Sequence, residues 1–224
     1  MVKIVFFDVG DTLVACPQFL SLFCEKLGRP GDQELYAFLR AKFYEHYSKK
    51  DPPIKTVLEM FEYVLACAYQ ELGLPDLSRS ARELEEEVFI DRGKLMEGAR
   101  ENLEFLKSKG VRLFVLSDAD DFILKPELIN FRIDRFFEDF VISNIVGAYK
   151  PSDSIVAAAL KHCEGVGKDE ICVVGDADVD VQTARKMGVK SIRLNTSHRS
   201  RKESADHVFN DLKELLAFWK QKLP

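Results

Sequence analysis

The chain has 224 residues, of which 46% are hydrophobic and 31% charged, and its formal net charge is −5. This length and apolar content suffice for one α/β domain with a full core and an inserted subdomain. The negative charge argues against nucleic-acid binding through phosphate contacts, and no apolar run approaches the roughly 20 residues of a membrane-spanning helix. Because the N-terminus also lacks a signal-peptide pattern, we expect a cytoplasmic protein. We expect it to be a monomer or homodimer and to bind neither nucleic acid nor a membrane.

The cysteines are typical of the same compartment. Their number is odd, and they show neither a Cys-x-x-Cys pair nor a Cys/His cluster at zinc-binding spacing. We therefore expect reduced and mostly buried thiols. The residues concerned are Cys16, Cys24, Cys67, Cys163 and Cys172.

The first predicted element is a short apolar strand over residues 2–7, and it ends in Asp8 and a tight turn. A continuous apolar run of this length is typical of a buried parallel strand. Ligands of an open α/β sheet bind at the carboxyl ends of its strands, where a carboxylate serves as a nucleophile or a metal ligand. The same residues also fit an ordinary Asp/Gly turn. This segment alone supports both interpretations equally.

After Leu13 the apolar residues recur at helical spacing. The pattern predicts helices over residues 19–27, 35–47, 57–72 and 77–89, separated by loops rich in Gly and Pro. We therefore predict an all-helical inserted subdomain over residues 15–91.

The second half of the chain alternates strands and helices. Strands are predicted over residues 111–116, 140–142, 171–174 and 191–194, and helices over 97–109, 123–130, 152–163, 179–187 and 212–223. Such βαβ alternation specifies a parallel sheet with helices on both faces. The predicted fold is therefore α/β, with a Rossmann-like core of residues 1–14 and 92–224 that carries the helical insertion.

Four short blocks of sequence carry a resemblance to a known family. They read Phe-Asp-Val-Gly-Asp-Thr-Leu at residues 7–13, Leu-Phe-Val-Leu-Ser-Asp at 113–118, Gly-Ala-Tyr-Lys-Pro at 147–151 and Ile-Cys-Val-Val-Gly-Asp-Ala-Asp-Val-Asp at 171–180, the last followed by Ala-Arg-Lys-Met-Gly at 184–188. In this order they resemble the motifs of the haloacid dehalogenase-like (HAD) hydrolase superfamily, from residue 2 to the last predicted helix. One block is weak evidence, whereas four in the family's order are strong. The resemblance implies that the helical insertion is a C1-type cap.

The resemblance also implies a catalytic set. Asp8 would attack phosphorus and form an aspartyl-phosphate that water then hydrolyses. Thr12 would brace the turn or hydrogen-bond Asp8, and Lys150 would balance the charge of the nucleophile and of the phosphoryl group. The hydroxyl of Ser117 and the backbone N–H of Asp118 would hold a phosphate oxygen. A carboxylate is unfavourable beside phosphate, so we expect the Asp118 side chain to point away from it.

The acidic residues of the first and fourth blocks imply a Mg²⁺ site. Asp8 and Asp176 close strands that the family sets side by side, and hard oxygen ligands of this kind favour Mg²⁺. The backbone carbonyl of Gly10 would be a further ligand. Asp180 would support the metal through a water or orient the motif lysine, while Asp178 is predicted to be a solvated loop residue. The alternative is a helix start that favours Asp for capping alone.

One position departs from the family pattern. HAD phosphatases read Asp-x-Asp-Gly-Thr, and the second Asp is their general acid/base. In this chain Gly10 stands at that place, and Asp11 stands where the family has Gly. The leading interpretation is a Mg²⁺-dependent phosphatase of a small phosphorylated metabolite. The missing general acid/base at position 10 predicts that its rate is reduced.

Two further interpretations stay open. One is cleavage of a carbon–phosphorus bond: phosphonate-cleaving relatives carry a small residue at position 10 and use a cap lysine to form a Schiff base with an aldehyde substrate, for which Lys42, Lys49 and Lys50 are candidates. Dehalogenating relatives have Tyr at position 10 and lack Asp176, so Gly10 and Asp176 both argue against cleavage of a carbon–halogen bond. The other interpretation is a HAD scaffold that binds a ligand or a protein partner, with little or no turnover.

Overall fold

The chain alternates buried strands with helices, as the sequence pattern predicts. The computed structural model describes residues 1–15, 18–47, 54–197 and 202–223, with only the backbone of His46 and Tyr47. The strands in these residues are β1 (Ile4–Phe7), β2 (Val14–Ala15), β3 (Lys94–Leu95), β4 (Arg112–Ser117), β5 (Asp139–Ile142), β6 (Ile171–Gly175), β7 (Lys190–Leu194) and β8 (His207–Phe209). The helices are α1 (Phe19–Lys26), α2 (Gln33–Tyr47), α3 (Val57–Leu72), α4 (Ala81–Glu86), α5 (Ala99–Ser108), α6 (Asp121–Asn130), α7 (Ser143–Val146), α8 (Asp153–Leu160), α9 (Asp178–Met187) and α10 (Leu212–Lys222).

Six strands form one parallel sheet in the order β5-β4-β1-β6-β7-β8. The central strand β1 is in register with both neighbours, so that Phe7 lies level with Val115 of β4 and Val174 of β6. Every residue of β1 and β6 is buried, because helices cover both faces of such a sheet, and this explains their continuous apolar sequences. The Rossmann-like α/β fold is confirmed.

Three short strands were not predicted. β2 and β3 form an antiparallel pair of two residues each, and β8 adds three residues to the edge of the main sheet beside β7. β2 and β3 are too short for a period-two pattern to be recognised in the sequence, and β8, which begins with a histidine, lacks the continuous apolar run that identified the equally short strand over residues 140–142.

The helix ends agree with their local sequence signals. The Thr56 hydroxyl accepts the backbone N–H of Glu59, and the Glu59 side chain accepts that of Thr56, which forms a capping box at the start of α3. Gly73 ends the same helix with a φ of 65°, a conformation that glycine adopts without steric cost. The predicted helix over 77–89 is divided instead: α4 follows a 3₁₀ turn (Ser78–Ser80) and precedes a π turn (Glu87–Asp91).

By packing, the chain divides into two compact units. The sheet unit contains Met1–Ala15, Lys94–Asp118 and Leu128–Pro224, and the helical unit contains Cys16–Gly93 together with Ala119–Glu127. The domain boundaries drawn from the sequence, 1–14 with 92–224 and 15–91, stay a prediction. The segment 119–127 packs with the helical unit, which periodicity along the chain does not indicate.

Each unit has its own apolar core. Phe6 of β1 stacks on Phe114 of β4 at a centroid distance of 5.2 Å in the sheet unit, and Phe23 meets Phe61 edge-on at 4.8 Å in the helical unit. The described cysteines are buried and free: Cys24, Cys67, Cys163 and Cys172. The predicted thiol of Cys16 lies outside the described residues. Among the helices described, none combines the length and apolar character that crossing a membrane requires.

Candidate active site

Three predicted site residues meet at the carboxyl edge of the parallel sheet. Asp8 follows β1, Ser117 is the last residue of β4, and Asp176 follows β6. The backbone N–H of Asp8 donates to the carbonyl of Val174 at 2.9 Å, which continues the β1–β6 ladder up to the carboxylate. All three side chains are buried. The parallel register therefore brings together residues that lie far apart in the sequence.

Lys150 connects this edge to the start of α9. Its Nζ donates to Oδ1 of Asp8 at 2.8 Å, to Oδ1 of Asp180 at 2.6 Å and to the carbonyl of Leu116 at 3.2 Å. An ammonium group has three N–H donors, and here each has an acceptor. Burial alone lowers the pKa of Lys150, but the carboxylates of Asp180 and Asp8 outweigh burial and raise it well above its usual value. The lysine is therefore a fixed positive charge beside the predicted nucleophile.

The Asp180 side chain is held in place by hydrogen bonds to both of its carboxylate oxygens. It lies in the first turn of α9, where Oδ2 accepts the backbone N–H of Ala177 at 3.0 Å and Oδ1 accepts Lys150. A Cβ on Gly175 would lie 2.2 Å from Cγ of Asp180, so only glycine fits at the end of β6. Burial raises the pKa of Asp180, and the charge of Lys150 counters this effect. Both oxygens thus hold the geometry of the site.

The turn after β1 presents Asp8 to the site. Thr12 Oγ1 donates to Oδ2 of Asp8 at 3.3 Å, and the backbone N–H of Thr12 donates to the carbonyl of Val9 at 3.1 Å. Asp11 has a φ of 56°, in the left-handed region that favours glycine and that Asp tolerates better than most residues. The left-handed residue therefore stands where the family pattern has Gly, although this chain carries its glycine at position 10.

The Asp118 carboxylate accepts the backbone N–H of Lys150 at 2.8 Å. It therefore holds the main chain of the lysine. Burial raises the pKa of Asp118 to about 6, against the opposing effect of the Lys150 charge.

Three buried carboxylates are close enough together to hold a metal ion. One oxygen each from Asp8, Asp176 and Asp180 lies within 4.8 Å of the others. A set of hard oxygen donors suits Mg²⁺ rather than a softer metal. Both oxygens of Asp180 and both oxygens of Asp8 accept hydrogen bonds, so these contacts do not separate direct ligands from supporting residues. Asp8, Asp176 and the carbonyl of Gly10 stay the predicted direct ligands.

Two hydroxyl residues of the site were missed in the sequence. Thr196 Oγ1 donates to the backbone carbonyl of Asp11, and Ser197 Oγ donates to Oδ2 of Asp176. They follow β7 after one intervening residue, Asn195, whereas Asp8 and Asp176 follow β1 and β6 directly. This position after a predicted strand is the signal that could have identified them.

The prediction that Asp178 is a solvated loop residue was wrong. Asp178 is the first residue of α9, and its Oδ1 accepts the guanidinium of the buried Arg193 at 2.6 Å. Its carboxylate also accepts the backbone N–H groups of Lys202 and Glu203 at 2.8 and 3.1 Å. It therefore ties β7 and the chain before β8 to the start of α9.

The chain resembles known proteins over most of its length. The haloacid dehalogenase-like hydrolase family model matches residues 2–188. A glyceraldehyde 3-phosphate phosphatase of Pyrococcus abyssi is 28% identical over 201 residues, which are 86% of this chain and 81% of that protein. An (S)-2-haloacid dehalogenase of Burkholderia cepacia is 32% identical over 97 residues, which are 43% of this chain and 42% of that protein.

Among solved structures, the HAD-hydrolase YfnB of Bacillus subtilis, bound to magnesium, has a TM-score of 0.79 at 18% identity. It covers 98% of this chain, which in turn covers 99% of it, and at this identity the likeness concerns the fold alone. The family match spans well over half of the chain and includes all four sequence blocks. The chain belongs to the haloacid dehalogenase-like family of hydrolases.

Proposed function

We propose that this hydrolase is a Mg²⁺-dependent phosphatase of a small phosphorylated metabolite and works through an aspartyl-phosphate on Asp8. The observation that carries the proposal is the position of the Asp8 carboxylate. It lies at the carboxyl edge of the sheet, with Lys150 on Oδ1, Thr12 on Oδ2 and the Asp176 carboxylate close by. Phosphoryl transfer requires such a positioned nucleophile together with fixed positive charge.

In the first step an oxygen of Asp8 attacks phosphorus, and the bond from phosphorus to the leaving oxygen breaks. Lys150 faces the charge that spreads over the phosphoryl oxygens, while the Ser117 hydroxyl and the N–H of Asp118 would orient one of them. Asp8, Asp176 and the carbonyl of Gly10 would hold Mg²⁺, which neutralises phosphoryl charge when bound. Water then attacks the aspartyl-phosphate, and inorganic phosphate leaves with regeneration of the carboxylate.

The lack of a side chain at Gly10 limits both steps. A general acid/base contributes about 10²–10⁴-fold to a rate, and in the family the residue at this position protonates the leaving oxygen and later activates water. Substrates with good leaving groups, such as acyl or aryl phosphates, need this proton least in the first step. We therefore propose a substrate of that class and a long-lived phosphoenzyme. Residues 15–91, the predicted cap, would select the substrate, as the cap does in the family.

The phosphonate-cleaving alternative has weaker support. A lysine that forms a Schiff base needs a lowered pKa, whereas Lys42 forms an ion pair of 2.6 Å with Glu71 that raises its pKa. The other candidates, Lys49 and Lys50, lie outside the described residues. Similarity to a dehalogenase favours cleavage of a carbon–halogen bond. Two residues oppose this chemistry: Asp176, which dehalogenating relatives lack, is present, and Gly10 stands where those relatives have Tyr.

The test is hydrolysis of p-nitrophenyl phosphate with and without Mg²⁺, since this aryl leaving group needs little protonation. We expect activity in the wild-type protein that EDTA abolishes and that Asp8→Asn removes. An Asp8→Asn protein as active as the wild type would overturn the proposal. Borohydride reduction in the presence of an aldehyde phosphonate should leave no trapped adduct on any lysine.

A further inference from the structure

Two adjacent hydroxyl residues follow β7 and reach two different parts of the candidate site. The backbone N–H of Asn195 donates to the carbonyl of Phe209 at 2.8 Å, so that the β7–β8 pairing extends to this point. The next two residues turn into the site, where Thr196 donates to the carbonyl of Asp11 and Ser197 donates to Oδ2 of Asp176. One short segment thus contacts both the turn after β1 and the carboxylate after β6.

The far end of the same connection is attached to the same region. Asp178 accepts the backbone N–H groups of Lys202 and Glu203, and Glu203 accepts side-chain hydrogen bonds from Gln182 and Arg185 of α9. Both described ends of the β7–β8 connection are therefore anchored on α9 or on the residues just before it. This anchoring fixes where the hydroxyl groups stand, which distinguishes them from surface side chains that touch a carboxylate by chance.

We propose that Ser197 is a positioning residue for the metal site, which orients the Asp176 carboxylate through its hydroxyl hydrogen bond. The inference rests on the proposed role of Asp176 as a metal ligand. A donor on one carboxylate oxygen restricts rotation about the Cβ–Cγ bond and so fixes the direction in which the group meets an ion. Thr196 acts in the same way on the turn, because its bond to the Asp11 carbonyl holds the residue of left-handed conformation between Gly10 and Thr12.

The experiment measures metal binding rather than turnover. Mn²⁺, a divalent probe for oxygen-ligand sites, is titrated into metal-free protein, and free Mn²⁺ is followed by electron paramagnetic resonance. Loss of such an outer hydrogen bond typically weakens metal affinity about 10–100-fold. We expect a weakening of that size for Ser197→Ala and near wild-type affinity for Ser197→Thr, which keeps the hydroxyl group. The matched control is Ser204→Ala, an exposed serine of the same connection, for which we expect no change.

Thermal unfolding of each variant is recorded in parallel, so that a folding defect is recognised. If Ser197→Ala does not fold, Ser197→Cys provides a weaker donor of similar size, and an intermediate affinity is expected. Wild-type Mn²⁺ binding that Asp176→Asn abolishes and that Ser197→Ala leaves unchanged would overturn the inference, as would a lack of Mn²⁺ binding by the wild type. If Ser197→Ala binds Mn²⁺ more weakly than the wild type, but the wild type does not hydrolyse p-nitrophenyl phosphate, the inference is upheld and the phosphatase proposal is rejected.

Discussion

The Nζ of Lys150 lies 2.8 Å from Oδ1 of Asp8, although 142 positions separate the two residues in the chain. The lysine is 6% exposed, and the aspartate 7%. A charge pair buried to this extent is costly to break, because the remaining partner keeps an uncompensated charge. The stability of the sheet unit and the chemistry of the site therefore depend on the same contact.

Replacement of Lys150 by Met should reveal this dependence. The variant leaves Asp8 and Asp180 without their common cation, and we expect the free energy of unfolding in EDTA to fall by about 3–5 kcal/mol. Urea denaturation measures the change. The control is Lys186→Met, which removes a 2.7 Å pair with Asp153 whose side chains are 42% and 95% exposed. An exposed pair contributes under about 1 kcal/mol, so equal losses in the two variants would contradict the account.

Exchange of the residues at positions 10 and 11 should restore the missing acid. In the double variant Gly10→Asp/Asp11→Gly, a carboxyl group stands two residues after Asp8 and glycine takes the position with a φ of 56°. We expect turnover of an alkyl phosphate, a poor leaving group, to rise up to about 10²–10⁴-fold. Turnover of p-nitrophenyl phosphate should rise less. Steady-state kinetics with both substrates measures the difference.

The single variant Asp11→Gly is the control for this exchange, since it relieves the turn without supplying an acid. We expect its alkyl phosphate turnover to stay near that of the wild type. A gain in Asp11→Gly equal to that of the double variant would show that the turn, rather than the acid, limits the rate.

A buried pair of carboxyl groups in the helical unit should make stability depend on pH. Glu85 of α4 and Asp120, just before α6, are each 1% exposed. Within the described residues, Oε2 of Glu85 and Oδ1 of Asp120 have no hydrogen-bond donor, and the other Asp120 oxygen accepts the N–H of Leu58 at 2.9 Å. Burial and the nearby Asp120 carboxyl raise the pKa of Glu85 to about 9. At neutral pH Glu85 is therefore protonated and can donate to Asp120.

Stability should fall as the pH rises, because Glu85 binds a proton in the folded protein over a pH range in which it is ionised in the unfolded chain. Folded Glu85 keeps a proton that the unfolded chain releases above the usual pKa of 4.5, so the free energy of unfolding falls as the pH rises from there to about 9. The fall is at most about 1.4 kcal/mol per pH unit. Glu85→Gln, which donates without titrating, should remove this part of the slope and gain stability relative to the wild type between pH 5.5 and pH 8.5. Urea denaturation at both pH values measures it.

Glu86→Gln is the matched control for this comparison. Glu86 is the next residue, its side chain is 47% exposed, and it pairs with Arg82. We expect the pH dependence of Glu86→Gln to follow the wild type. A Glu85→Gln protein with the wild-type pH dependence would show that Glu85 is ionised in the folded state at neutral pH.

The strand ends of the site were predictable from the sequence, because buried parallel strands read as continuous apolar runs and share one carboxyl edge. That Asp8 and Asp176 lie side by side was expected from the family resemblance, and the structure has their carboxylates close together. Thr196 and Ser197 could have been identified as candidates by their place near the end of a predicted strand. Their contacts were not predictable, since they depend on the path of the chain after β7 and on a strand, β8, of three residues.

From the sequence we also missed side-chain pairs whose members are distant in the chain but lie in the same compact unit. The Glu85–Asp120 pair exists because residues 119–127 pack with the helices that precede them, whereas helical periodicity identifies a buried face and not the partner that covers it. The role of Asp178 depended on Arg193, which is 15 positions away on β7.

The central claim is that Asp8 carries the phosphoryl group during turnover. The most direct test is mass spectrometry of the protein after brief incubation with Mg²⁺ and a reactive acyl phosphate, followed by acid quenching and peptide mapping. We predict one added phosphoryl group on the peptide that contains Asp8 and none in Asp8→Asn. A phosphoryl group on another residue, or turnover without any adduct on Asp8, would contradict the account.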